Sequence, residues 1–101
     1  VLSLLRSAGA VLVPTVCLSE VPRFIERTLT SGDALRAATA MRAQTVVDLT
    51  ADLAVQSARI GLQHRLPLAD SIIYATARMY DASLWTMDTD FQGLPEVVLF
   101  D

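Results

Sequence analysis

Lysine is absent from this chain: all eight basic residues are arginine. Mechanisms that need an amine side chain are thereby excluded, among them P-loop nucleotide hydrolysis, Schiff-base chemistry, phosphoaspartate receivers and haloacid-dehalogenase-like phosphatases. Histidine and cysteine occur once each, at His64 and Cys17. Neither a zinc constellation nor a Ser-His-Asp arrangement can be assembled from them. A lone cysteine also excludes an internal disulfide and fits a reducing compartment. No apolar run approaches the roughly 18 residues that span a bilayer, and no basic stretch leads into a long apolar one at the N-terminus. A cytoplasmic protein without membrane attachment is the expectation. Glycine-rich phosphate loops, internal repeats, low-complexity tracts and linkers are all missing.

What is present describes a folded chain. Hydrophobic residues make up 52% and charged residues 19% of 101 residues, enough for one core and too few for two, so residues 1–101 are read as a single domain. The net charge of −3 runs against a protein that grips nucleic acid by general basicity. Any nucleic-acid chemistry must rest on a local site.

Apolar residues alternate between helical and strand spacing along the chain. Val1, Leu2, Leu4 and Leu5 predict the end of an amphipathic helix, closed by Ser7-Ala8-Gly9 with Gly9 as C-cap. A chain that opens inside a helix, at Val1 rather than Met, is expected to be a fragment. Ala10 to Val13 predicts a buried strand stopped by Pro14. Cys17, Val21, Phe24, Ile25, Thr28 and Leu29 mark a helix that Ser31-Gly32 should stop, with Pro22 an awkward interior residue. Asp33 to Met41 predicts a shorter helix, Thr45 to Asp48 a strand, and Thr50 an N-cap. Leu53, Ala54, Ala58, Gly61 and Leu62 form one close-packing helix face. Pro67 opens a further, largely buried helix at its N1 position. Ser83 to Met87 and Val97 to Phe100 are the remaining strands. The class is α/β, three layers, with a parallel sheet flanked by helices.

Right-handed crossovers then decide where the acids lie. Glu20 and Asp70 fall early in helices, and Asp88 and Asp90 follow the end of a strand. All four belong to the edge where open α/β sheets bind ligands. Carboxylates crowded there repel one another, and a hard cation such as Mg²⁺ or Mn²⁺ relieves that repulsion and can promote attack on phosphorus. Each acid alone has a plainer explanation. Asp70 can serve the helix dipole, Glu20 can pair with Arg23 or Arg27, and Asp88 and Asp90 can be turn aspartates. His64 reads as a helix-end cap, Cys17 as packing, and Trp85 as a core residue with base stacking as its alternative.

Three blocks carry a resemblance. Val11-Leu12-Val13-Pro14-Thr15-Val16-Cys17-Leu18-Ser19-Glu20-Val21, the helix start Leu66-Pro67-Leu68-Ala69-Asp70-Ser71-Ile72-Ile73-Tyr74-Ala75-Thr76-Ala77, and Leu84-Trp85-Thr86-Met87-Asp88-Thr89-Asp90-Phe91 resemble, in order and spacing, the PIN-domain ribonucleases of the VapC toxin type. The resemblance implies that Glu20, Asp70 and Asp88 are metal-binding catalytic acids with Asp90 accessory. It also implies a Mg²⁺- or Mn²⁺-dependent endoribonuclease that forms a homodimer and is held by a cognate antitoxin. One departure is plain. The family's first strand, central in its sheet and ending in the leading metal-ligand Asp, is not found in this sequence. That strand is expected to be missing, and the fragment is expected to be inactive and poorly stable alone. A degenerate PIN domain that serves as an RNA-binding or protein-interaction module stays open, as does an unrelated α/β domain.

Overall fold

A computed structural model describes residues 3–100 of the chain. Five strands form one sheet in the order β3-β2-β1-β4-β5, where β1 is Ser3–Ser7, β2 Ala10–Pro14, β3 Thr45–Val47, β4 Ser83–Thr86 and β5 Val97–Leu99. Four helices flank it: α1 Cys17–Thr28, α2 Ser31–Arg42, α3 Ala51–His64 and α4 Leu68–Met79.

The N-terminal segment overturns one expectation. Residues 3–7 are a strand, not a helix end, and that strand fills the central position of the sheet. The chemistry of the turn explains why. Ala8 and Gly9 both have positive φ, 50° and 80°, and Ser7 pairs directly with Ala10. Two residues at positive φ make a type I′ hairpin, whose twist matches that of its strands. Gly9 therefore closes a hairpin instead of capping a helix. So short a link can only join antiparallel strands. β1 therefore runs against both β2 and β4, and the sheet is mixed and not wholly parallel.

The reversal leaves the ligand edge intact. β2 pairs parallel with β3 and β4 parallel with β5, and both pairs oppose β1. Four strands consequently share one direction, and their C-terminal ends share one edge. The reversed β1 brings its beginning to that edge, since Ser3 is opposite Thr86.

Local chemistry sets the helix bounds. α1 continues through Pro22 to Thr28. Ser31-Gly32 does not stop it but begins α2, because Thr30 accepts a hydrogen bond from the Asp33 amide at 3.1 Å and caps the second helix. Thr50 caps α3 in the same manner through the Leu53 amide. Arg65, in the left-handed region, ends α3; His64 instead packs edge-on against Tyr74, with ring centroids 5.5 Å apart. Pro67 stands one residue before α4 as its N-cap. α4 is buried continuously from Ser71 to Ala77, as expected of a helix apolar on most sides. It joins Leu5, Leu12, Leu84 and Phe91 in the main core.

α3 and α4 touch at Gly61. A Cβ there would lie 2.1 Å from the Ser71 Oγ, so no other residue permits this approach. Ser71 donates to the carbonyl of Pro67 at 2.8 Å, which holds the first turn of α4 in shape. No helix among the described residues is long and apolar enough to cross a membrane.

Candidate metal centre

Three elements deliver the acids. Asp70 is the third residue of α4, Glu20 lies in the first turn of α1, and Asp88 follows the end of β4. Each is at an element end on the shared edge, where the chain leaves the core. The three line one cleft of about 420 Å³, together with Ser3, Cys17, Arg23, Phe24 and Arg27.

The tightest group differs slightly from the trio read in the sequence. Asp70, Asp88 and Asp90 each offer an oxygen within 4.8 Å of the others, among the described residues. Glu20 faces the same cleft from α1 without entering that group. A local turn brings Asp90 in: the Asp88 Oδ1 accepts the Asp90 amide at 2.9 Å and caps a short 3-10 helix, Thr89–Phe91. Phe91 is wholly buried and anchors that turn. Asp88 is in turn placed by Thr86, whose Oγ1 accepts its amide at 3.0 Å and is 2.8 Å from the Ser3 hydroxyl. Sequence reasoning passed over Thr86 and Ser3. The threonine two positions before Asp88 was the available signal, since such hydroxyls recur in turns.

The electrostatics report crowding. The Asp70 carboxyl is pushed up to about 6, first by burial and then by the charges of Asp88, Glu20 and Asp90. The helix N-terminus favours the ionised form, but its contribution is outweighed. Glu20 is also raised, chiefly by burial and further by Asp88. The arginines do not relieve it: among the described residues the one ion pair is Arg36 with Asp33. Neither Arg23 nor Arg27 is tied to Glu20.

A group of unpaired carboxylates fits a hard divalent cation, which takes oxygen ligands. The nearby thiol does not compete, because burial first, then Glu20 and Asp70, drive Cys17 up to about 12 and keep it protonated. His64 is outside the cleft. Trp85 also stands apart from the cleft; it is half-buried, its Nε1 donates to Ser83 and Arg6 lies 5.9 Å above its ring. A second cavity of about 480 Å³, bounded by β1, β2, α1 and α2, has Cys17 as its one titratable side chain and is otherwise almost wholly apolar.

The family model for the PIN domain matches residues 1–97. The chain belongs to the PIN-domain family. Among solved structures it is similar to a toxin-antitoxin complex from Klebsiella pneumoniae, with a TM-score of 0.72, 27% identity, and coverage of 86% of this chain and 71% of that one. No curated protein matches it.

Proposed function

We propose that this chain carries the active site of a metal-dependent endoribonuclease, the toxin of a toxin–antitoxin pair. The observation that carries the reading is the convergence of Asp70, Asp88 and Asp90 within 4.8 Å, with Glu20 in the same cleft. Family membership and the likeness to a toxin–antitoxin complex support it.

In this reading Asp70 and Asp88 hold Mg²⁺ or Mn²⁺, Asp90 supports them from the turn, and Glu20 approaches from the α1 side. A bound cation of this kind polarises a water and offsets charge during in-line attack at phosphorus. Asp70 must give up its proton to act as a ligand, so cation affinity rises as pH passes about 6. Thr86 acts indirectly, by fixing the backbone of Asp88. An antitoxin that occupies the cleft would have to bring positive charge, since the cleft gathers acids. A homodimer and a cytoplasmic setting belong to the same proposal.

The test is cleavage of a mixed single-stranded RNA pool by the purified protein. Against the inactivity expected from the missing leading Asp, Glu20, Asp70, Asp88 and Asp90 still gather at one edge, so activity is expected with Mg²⁺ or Mn²⁺, and none with a chelator or in Asp70→Asn. Full activity in Asp70→Asn sinks the proposal. One observation favours a second reading, a PIN domain that binds RNA or a protein without cutting. The central strand meets the site edge with neutral Ser3, where the family resemblance calls for an acid. RNA or protein binding without cleavage under any metal would select it.

A further inference from the structure

We infer that the exposed face of α1 is the lip over which a single RNA strand runs into the carboxylate cleft, with Arg23 and Arg27 gripping its phosphates and Phe24 stacking an unpaired base. The inference rests on RNA being the substrate of that cleft.

Arg23 and Phe24 stand three and four residues after Glu20, and Arg27 four after Arg23 and three after Phe24, so the four share one side of the helix. All four line the cleft that holds Asp70 and Asp88. The backbone positions of Arg23 and Arg27 are a helical turn apart, about 6 Å along the axis, a separation of the order of one nucleotide step. Among the described residues neither joins an ion pair, since the one pair formed is Arg36 with Asp33. They are therefore available to phosphate, and arginine matches phosphate geometry with paired donors.

Phe24 is the second observation. It is 41% exposed and lines the same cleft as Arg23 and Arg27, so part of its ring is open to a partner. A base offers a flat apolar partner, and only an unpaired base can reach it. The path also continues beyond the acids: Arg23 and Arg27 line an adjoining surface cleft with Pro22 and Glu26. There the Glu26 carboxylate accepts a hydrogen bond from Ser31 at 2.8 Å. Together these features answer the objection raised by the net charge of −3. The positive charge that RNA needs is local, and it sits beside the acids.

The experiment measures binding of a fluorescein-labelled single-stranded RNA and its duplex counterpart by anisotropy. Ca²⁺ replaces Mg²⁺ so that the strand survives the measurement. Salt is varied, and circular dichroism checks that each variant is folded. The double variant Arg23→Gln/Arg27→Gln should bind more weakly. Its plot of log affinity against log salt should flatten by about 1.4, at about 0.7 per phosphate contact to a single strand. Phe24→Ala should lose roughly five- to hundredfold in affinity, and Phe24→Tyr should regain it where Phe24→Leu does not. Arg59→Gln, on α3 and away from the cleft, controls for loss of one positive charge and should keep the full slope. An unchanged slope in the double variant, while the unsubstituted chain still cuts RNA, overturns the lip and leaves the nuclease reading in place. Equal affinity for duplex and single strand also overturns it. Failure of the unsubstituted chain to bind or cut any RNA removes the nuclease reading, and the lip with it.

Discussion

At Asp70 the molecule stores a conflict between folding and ligation. The folded, metal-free chain keeps this proton up to about pH 6, whereas a free aspartate releases it near 3.8. Between those values the folded state binds more protons than the unfolded one, so stability falls as pH rises through the window. The unfolding midpoint of the metal-free protein is thus expected to be lower at pH 7 than at pH 4.5, and the raised Glu20 carboxyl acts in the same direction. Asp70→Asn should reduce that decline and raise the midpoint at pH 7, while Mg²⁺ should raise the midpoint of the unsubstituted chain only above about pH 6. A thermal melt series with and without Mg²⁺ checks all three, and a higher midpoint at pH 7 than at pH 4.5 in the metal-free protein refutes the assignment. Asp88 behaves differently, because its Oδ1 also caps the turn at Asp90. Asp88→Asn keeps that acceptor and removes only charge. Asp88→Ala loses the cap as well and should be less stable than Asp88→Asn by about 1 kcal/mol in urea titration. These positions were readable in sequence because each acid stands at the start of a helix or just after a strand. The closeness of Asp90 was not, since it depends on one backbone hydrogen bond rather than on any spacing pattern.

Between elements, the narrowest contact decides where Asp70 stands. Gly61 lets α3 approach the first turns of α4, and a methyl there would meet the Ser71 Oγ at 2.1 Å. Gly61→Ala gains helix propensity, roughly 1 kcal/mol, yet overpacking of this kind costs typically about 1–3 kcal/mol and shifts backbone. The expected net result is a lower melting midpoint and, because α4 carries Asp70, weaker Mg²⁺ binding by calorimetry. Unchanged stability would show that the helices can part freely. The β1–β2 hairpin offers the opposite experiment. Ala8 occupies a left-handed conformation that costs an ordinary L-residue roughly 1–2 kcal/mol, and asparagine tolerates it. Ala8→Asn makes an Asn-Gly turn and should raise stability by about 0.5–1 kcal/mol. If residues 3–7 were helical instead, the same change would lower it. That segment shows why the N-terminus was misread. Leucines at positions 2, 4 and 5 suit either period over so few residues, and a left-handed glycine follows a helix as readily as it closes a hairpin. The longer runs left no such ambiguity: α3 and α4 have enough turns for their apolar faces to declare a period.

Across the whole sheet, the central strand determines whether the chain can stand alone. The expectation of a poorly stable fragment assumed two strands facing an empty place. β1 occupies it and pairs on both sides, through Leu5 with Leu12 and with Leu84. Leu5 is 1% exposed and Leu84 is fully buried, so this junction lies at the heart of the core. A single cooperative unfolding transition is therefore expected for residues 1–101, followed by circular dichroism in urea. A broad, gradual loss of signal, or Leu5→Ala without cost, would return the argument to a missing strand. The outer strands carry a different consequence. β3 and β5, three residues each, are the rims of the sheet, and an exposed rim is where foreign strands can add and growth of aggregates can begin. Rims this brief offer a visiting strand too few amides and carbonyls to hold on to. The chain thereby limits fibril growth by the shortness of its borders, without needing lysine, the gatekeeper it lacks.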